Sequence, residues 1–407
     1  MESITLNELM RQTRELVSDP EDRLYGDLDA SMADAIKCLL EKIAVSEVEQ
    51  RVGVKLYERR ASRNDYRNGY REREVQTPYR TVTIQIPRLR EQGYVPSYLE
   101  PGHRAIAEVE DWVGKALLVG MHRADIIRFM EETTGCRPSD KLIKRVQEDL
   151  DRQAKRFKER KLEGKYVYLF LDAAWVKDIV GVNAGRICVL TALGITEDGE
   201  KEILGFERSQ RENESAWRGF LVRLKERGLD PSCLRLVISD EHKGLQAAVA
   251  EVLGDILHQL CWAHRVRNIF KVIARADRKA MLEGLKAIYA AAHKTAAQAA
   301  FRTWKMRWLE KYPSVVQGLE EDLGQLLCHL DMPELHRKYL RTSNPIERVF
   351  LELRRRRFGC GAFANRAQSE RVVFGVFLWL NRIWKGRDIW MERARKQRKL
   401  AAKARAA

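Results

Sequence analysis

Three acidic residues stand where an acid needs a reason. The run Tyr166 to Asp172, YVYLFLD, is apolar or aromatic until its last residue, and the next two, Ala173 and Ala174, are small. Such a run reads as a strand buried on both faces. LRLVISD, Leu234 to Asp240, repeats the pattern and again ends on Asp. A carboxylate out of water is normally matched by a cation or by hydrogen bonds, so two buried strands that both finish on Asp suggest a site. Further on, Glu347 lies at the edge of the stripe Ile346, Val349, Phe350 and Leu353. Three acids from three elements are a donor set for two hard divalent cations, Mg²⁺ with Mn²⁺ able to substitute, and such a pair suits in-line displacement at phosphorus. Each acid also has a purely structural reading. Either Asp could turn the chain, and Glu347 could close a capping box with Asn344 as N-cap and Pro345 at N1.

Beside the second acid, Cys261-Trp262-Ala263-His264 forms a C-x-x-H. A zinc site needs about four ligands; Cys328-His329 is the one other pair available, at unconvincing spacing. The alternative is a Cys and a His that pack and hydrogen-bond next to the carboxylates.

The elements that must carry these residues change period along the chain. After the first strand, Arg186 to Thr196 and Lys201 to Ser209 read as strands joined by a hairpin at Asp198-Gly199. Asn213 to Arg227 is helical, with Trp217, Phe220, Leu221 and Leu224 on one face; Gly244 to Leu253 is a second helix and Ile256 to Trp262 a fifth strand. From His264 to about Leu340 the spacing is helical throughout, enough for three or four helices. Upstream, residues 1–50 carry the helical stripe Met32, Ile36, Leu39, Leu40 and Ile43. Tyr57 to Glu74 holds six Arg, three Tyr and an Asn-Gly turn, either a surface for phosphate contacts and stacking or a solvated loop. Val82, Ile84 and Ile86 alternate with Thr81, Thr83 and Gln85 in a strand that pairs through the turn 77–80 and stops at Pro87. Residues 104–155 read as three helices, the last with Ser139 as N-cap and with Lys141, Lys144 and Arg145. This is the order of a helix-turn-helix reader and equally that of a plain three-helix bundle.

The chain has 407 residues, 45% of them hydrophobic, and a net charge of +16 from 74 Lys plus Arg against 58 Asp plus Glu. That balance favours a polyanion as partner, nucleic acid first. Seven Cys and no apolar leader point to a reducing, cytoplasmic setting, and no run approaches the roughly 20 residues of a membrane span. From Met391 the tail carries seven basic residues against one acid, a charge that would let it lie along DNA.

RNGYRERE (67–74), VTIQIPRLR (82–90), YVYLFLDAAWVK (166–177), LVISDEHKGL (236–245), CWAHRVRN (261–268) and TSNPIER (342–348) together resemble the Mutator-like bacterial insertion-sequence transposases over nearly the full chain. The resemblance implies an α/β fold with a ribonuclease-H-like mixed sheet core, interrupted by an all-helical insertion and preceded by N-terminal helical and hairpin DNA-binding modules. It implies that Asp172, Asp240 and Glu347 are a DDE triad, both catalytic and metal-binding, and that Cys261 and His264 are the accessory C-x-x-H. Glu241 follows the second Asp where relatives often carry Gly. The expected domains are 1–100 (helical and basic hairpin), 101–160 (helix-turn-helix-like), 161–263 and 341–390 (catalytic core), 264–340 (insertion) and 391–407 (basic tail). Arg67, Arg71, Arg88, Lys141, Lys144 and Arg145 are the N-terminal candidates for DNA contacts, and Lys177, His242, Lys243, Arg267, Asn268 and Arg348 those within the core motifs. The expected activity is metal-dependent cleavage and strand transfer on double-stranded DNA, at terminal inverted repeats and a target, by a homodimer in the bacterial cytoplasm, nucleoid-associated and without a membrane. A nuclease of the same core that cuts without joining, and a DNA-binding regulator with a dead core, are the rivals.

Overall fold

In the computed structural model the described residues are 22–55, 57–58, 64–180, 183–357 and 365–395. They form two compact units, one comprising Met1–Leu117 and Met121–Leu150, the other Leu118–Gly120 and Asp151–Ala407.

The first unit opens with α1 (Asp22–Val52), then the antiparallel hairpin β1 (Arg67–Gln76) and β2 (Thr81–Leu89). Val82, Ile84 and Ile86 are buried while Thr81, Thr83 and Gln85 are exposed, as the alternation predicts. Three expectations change. The buried side of α1 is Ala33, Leu40, Ala44, Val48 and Val52, with Leu39 exposed: the helix turns its small alanines inward, and Glu41 accepts the backbone N–H of Gln85 in β2 at 2.8 Å. Asn68-Gly69 is no turn. It is the irregularity inside β1 between Arg67 and Tyr70, where φ of +68° at Gly69 suits a residue without Cβ. Pro87 does not end β2, because a two-stranded ribbon has a free edge toward which a residue without N–H can face. The helices α2 (Ala107–Leu118), α3 (Arg123–Thr134) and α4 (Asp140–Glu159) follow, and the Ser139 hydroxyl oxygen accepts the Leu142 N–H at 3.2 Å, the predicted cap. The end of α4 belongs to the second unit.

The second unit is built on one mixed sheet of β3 (Tyr166–Val180), β4 (Asn183–Thr196), β5 (Lys201–Ser209), β6 (Leu236–Ser239) and β7 (His258–Leu260), in the order β5-β4-β3-β6-β7. The first three form the expected antiparallel meander; β6 joins β3, and β7 joins β6, in parallel. The helices α5 (Glu214–Glu226) and α6 (Lys243–Leu253) lie between these strands in sequence and cover one face through Trp217, Phe220, Leu221, Leu224, Leu245 and Val249. Gly244 allows their close approach, since a Cβ there would lie 2.7 Å from the Glu214 amide. Between β7 and the last two helices the chain is helical: α7 (Trp262–Val272), α8 (Arg278–Tyr289), α9 (Lys294–Trp308), α10 (Pro313–Glu321), the short α11 (Leu323–Leu326) and α12 (Glu334–Leu340). These helices have their own core of Trp262, Met281, Leu285, Phe301, Trp304 and Leu319. Then α13 (Asn344–Arg357) and α14 (Arg366–Trp384) return to the other face of the sheet, with Ile346, Val349, Phe350 and Phe377 packed on Tyr168, Phe170 and Ile238. Among the described residues no helix is long and apolar enough to cross a membrane. The basic tail from 396 onward lies outside the described residues.

Candidate active site

The site sits in a notch of the sheet. β6 pairs with β3 only over Tyr168–Phe170 and then stops at Ser239, whereas β3 runs on, paired with β4, to Val180. Asp172 is therefore not at a strand end, contrary to expectation: the β3–β4 hairpin sets the strand length, and the carboxylate interrupts the apolar run without ending it. Asp240 does end its strand. Parallel pairing places both acids just past the last β3–β6 pair, where the loops after parallel strands open. The Asp240 carboxylate accepts the His242 N–H at 3.1 Å, and His242 caps α6 by taking the Leu245 N–H on Nδ1 at 3.2 Å, which commits that ring locally.

Glu347 arrives from the other face. The Ser343 carbonyl accepts the N–H groups of Ile346 and Glu347, both at 3.0 Å, so α13 begins one residue earlier than predicted. Asn344 is then the first helical residue and Glu347 the fourth, one position too deep for the capping box. The Glu347 carboxylate instead lies 3.6 Å from His264 Nε2 and 3.5 Å from an Arg267 guanidinium nitrogen.

Asp172 is 8% exposed and lines a cavity of about 410 Å³ with Trp175, His264, Arg267, Glu347, Phe350 and Arg354. Burial pushes its carboxyl up to about 7; the charges of Asp240 and Glu347 add to the rise, while His264 and the Ala173 N–H oppose it. His264 moves the other way, to about 9, mainly through its hydrogen bond with Cys261, with Asp172 and Asp240 contributing against the cost of burial. The C-x-x-H thus puts a cation among the acids, with Cys261 at the N-terminus of α7 and His264 in its first turn. Cys328 and His329 are occupied elsewhere: the thiol faces Gly324 O at 3.4 Å, and the ring lies within 3.2 Å of Gln259, Leu326 and Tyr289 oxygens.

Helix α7 serves both later acids. Arg265 meets Glu241 at 2.8 Å and also contacts Asp322, while Asn268 donates to Glu241 at 3.3 Å. The Arg265–Glu241 approach is an ion pair without the alignment of a hydrogen bond, since Arg265 Nε and Glu241 Oε1 make none. Glu241, the acid next to Asp240, is thus neutralised by the helical segment. One further acid escaped the sequence reading. Glu212, in the polar loop before α5, faces Asp240, His242 and the indoles of Trp217 and Trp175; burial and then Asp240 raise its pKa. No pattern in RSQRENE marks it, because its partners come from three other elements. Ser343 could have been found as a cap candidate, one residue before Asn344.

The N-terminal candidates divide. Arg67 donates to the carbonyls of Val54 (2.8 Å) and Lys55 (3.4 Å), Arg71 to Tyr94 O (3.1 Å), and Arg145 is held by Glu110. Lys144 pairs with Glu148 at 3.9 Å on the helix surface, and Arg88 and Lys141 are exposed. In the second unit Lys243, Arg267 and Arg348 are exposed; the Lys177 side chain lies outside the described residues.

A mixed sheet with carboxylates and basic side chains gathered at one notch, interrupted by a helical segment, is an α/β architecture, and the sequence comparisons place it. A family model described as "Transposase, Mutator family" matches residues 7–386, so the chain belongs to the Mutator family of transposases. It is 30% identical over 383 residues to the transposase for insertion sequence element ISRM5 of Rhizobium meliloti (strain 1021), covering 94% of this chain and 96% of that protein. It is 31% identical over 364 residues to the transposase for IS406 of Burkholderia multivorans, covering 89% and 93%. It is 27% identical over 363 residues to the transposase for IS256 in transposon Tn4001 of Staphylococcus aureus, covering 88% and 92%.

Proposed function

We propose that this chain is a DDE transposase with a ribonuclease-H-like core. In this reading it binds the terminal inverted repeats of its element, hydrolyses the strand at each 3′ end and joins the freed 3′-hydroxyl to target DNA, acting as a homodimer so that two ends are held together. The observation that carries the reading is that Asp172 and Glu347, from different elements, line one cavity at the notch where β6 stops, with the charge of Asp240 also felt at Asp172. The sheet order and the flanking helices agree with such a core.

The donor chemistry fits a hard divalent cation: three carboxylates, one of them held up at about 7 by burial and by the charges of the other two. Among the described residues no group of three His, Cys, Asp or Glu is already closed around a metal position, so the carboxylates must turn inward to take an ion. When bound, two Mg²⁺ ions, which Mn²⁺ can replace, would polarise the phosphodiester and lower the pKa of the attacking water or hydroxyl. The chain itself does the rest. Asp172, Asp240 and Glu347 would hold the ions, and His264 sets a positive charge against Glu347. The exposed Arg267, Asn268, Lys243 and Arg348 would supply contacts to DNA phosphates. In the first unit, Arg88 and Lys141 with the half-exposed Tyr66 and Tyr70 offer charge and stacking surface to the inverted repeats.

The test is purified protein and Glu347→Gln incubated with Mg²⁺ on a plasmid carrying the gene and its flanking DNA, with product ends sequenced. Cleavage and joining at the flanks by the parent alone is the expected result. Activity retained by the variant would remove Glu347 from the triad. Cutting without joining would make the protein a nuclease, and binding without cutting a regulator.

A further inference from the structure

Ser343 is fully buried, and every polar atom it has is engaged. Its N–H donates to Cys261 Sγ at 3.1 Å, and its hydroxyl lies 3.2 Å from the same sulfur and 3.3 Å from His264 Nδ1. Its carbonyl takes the N–H groups of Ile346 and Glu347. The Cys261 N–H in turn donates to Ser239 O at 2.8 Å, one residue before Asp240, and the Trp262 N–H donates to Arg341 O at 3.0 Å. The last residue of β6 is thus joined to the start of α7 by a backbone bond, and the start of α7 to the start of α13 through the Cys261 thiol and the Ser343 hydroxyl. We propose that Ser343 is a positioning residue for the third carboxylate: it clamps the first turn of α13 to Cys261 and His264, so that Glu347 is held in register with Asp240.

The direction of the hydrogen bonds supports this. A proton on Nδ1 can be donated to the Ser343 oxygen, which leaves the hydroxyl free to donate to sulfur, while Nε2 faces Glu347. Removing the hydroxyl takes one of its partners from the ring nitrogen and one from the sulfur while keeping the three backbone bonds, so the expected loss is of geometry and not of fold.

The inference rests on the transposase reading, and its test separates the two. Parent, Ser343→Ala and Ser343→Thr are compared in strand joining on DNA carrying the gene's flanks, and in hydrogen exchange of the segment 344–353 read by mass spectrometry. Ser343→Ala is expected to lower kcat about tenfold with KM for DNA unchanged, and to speed exchange in 344–353 while α14 stays as protected as in the parent. Ser343→Thr, which keeps the hydroxyl, is expected to restore both. Unchanged exchange overturns the clamp, and so does faster exchange with undiminished kcat. If the parent itself joins no DNA, the transposase reading fails and exchange alone decides the clamp. If Ser343→Ala does not fold, Cys261→Ala, which removes the sulfur from the other side, takes its place with the same outcomes.

Discussion

Two histidines flank β7, one at its first residue and one in the helix that follows, and the chain treats them in opposite ways. His258, the first residue of the strand, is buried and lies 2.8 Å from the Ser239 hydroxyl; burial alone drives its pKa down to about 4. His264, in the first turn of the helix that follows, is driven up to about 9 by Cys261 and then by Asp172 and Asp240. One ring is a neutral part of the core. The other is a fixed charge in an acidic notch. The difference teaches that residue type at this edge of the sheet says little, and that what decides the chemistry is which side of the last β6 residue a side chain falls on: toward the hydrophobic layer, or toward the opening where β3 outruns its neighbour.

Exchanging the two environments by mutation gives the largest expected effects. His264→Ala removes the cation that faces Glu347 and Asp172, and strand joining should fall by about 10²-fold, the loss typical of one preorganised electrostatic group. Above pH 9, where that charge no longer contributes to folding, the variant's thermal midpoint should stay close to the parent's. His258→Ala should do the reverse, costing about 1–3 kcal/mol in chemical denaturation because the Ser239 hydroxyl loses a buried partner, with joining per folded molecule kept. A stability loss for His264→Ala as large as that for His258→Ala, with joining unharmed, would dissolve the distinction.

Titration sharpens it. His258 has an ordinary value of 6.5 and a folded value of about 4, so the unfolded chain takes up the proton first; its contribution is present above 6.5 and is lost as pH falls toward 4. For His264 the folded value of about 9 lies above 6.5, so its contribution is present below 6.5 and is lost as pH rises through 9. The groups facing it are Cys261, Asp172, Asp240 and Glu347. Stability measured against pH for the parent and each alanine variant should show a His258 difference that is full above 6.5 and shrinks as pH falls toward 4, and a His264 difference that is full below 6.5 and shrinks as pH rises through 9. Two differences that change over the same window would mean that the rings share an environment.

How much of this could be read in advance depended on whether burial or long-range pairing set the feature. LRLVISD announced both a strand and its acid because apolar runs and their interruption are local. The hairpin at Asp198-Gly199, the alternation in β2, the Ser139 cap and the uninterrupted helical period after His264 were legible for the same reason. Asp172 was legible as an acid at the site but not as mid-strand, because the length of β3 is fixed by its register with β4 up to Val180 and Asn183. The start of α13 slipped by one residue because Ser343 is drawn in by Cys261, eighty-two positions away in sequence. Glu212 and the neutralisation of Glu241 by Arg265 were invisible, since each depends on side chains brought from elements that a single sequence does not pair.

The same contrast of buried and open surroundings recurs two residues apart on α7, and there it should give the smallest effect. Arg265 is 12% exposed between Glu241 and Asp322, while Arg267 is 55% exposed and reaches Glu347 only at 3.5 Å. An exposed pair at that distance holds little folding energy, so Arg267→Ala should leave the thermal midpoint within error. If Arg267 faces a DNA phosphate, its loss should reduce the slope of log K against log salt by about 1 and weaken binding to all sequences alike. Arg265→Ala should do the opposite, lowering stability by leaving Glu241 half-buried without its cation and leaving the salt slope alone. A salt slope that moved with Arg265 and not with Arg267 would mean that the face of α7 turned toward the insertion, and not the one at the mouth of the notch, is the one that meets DNA.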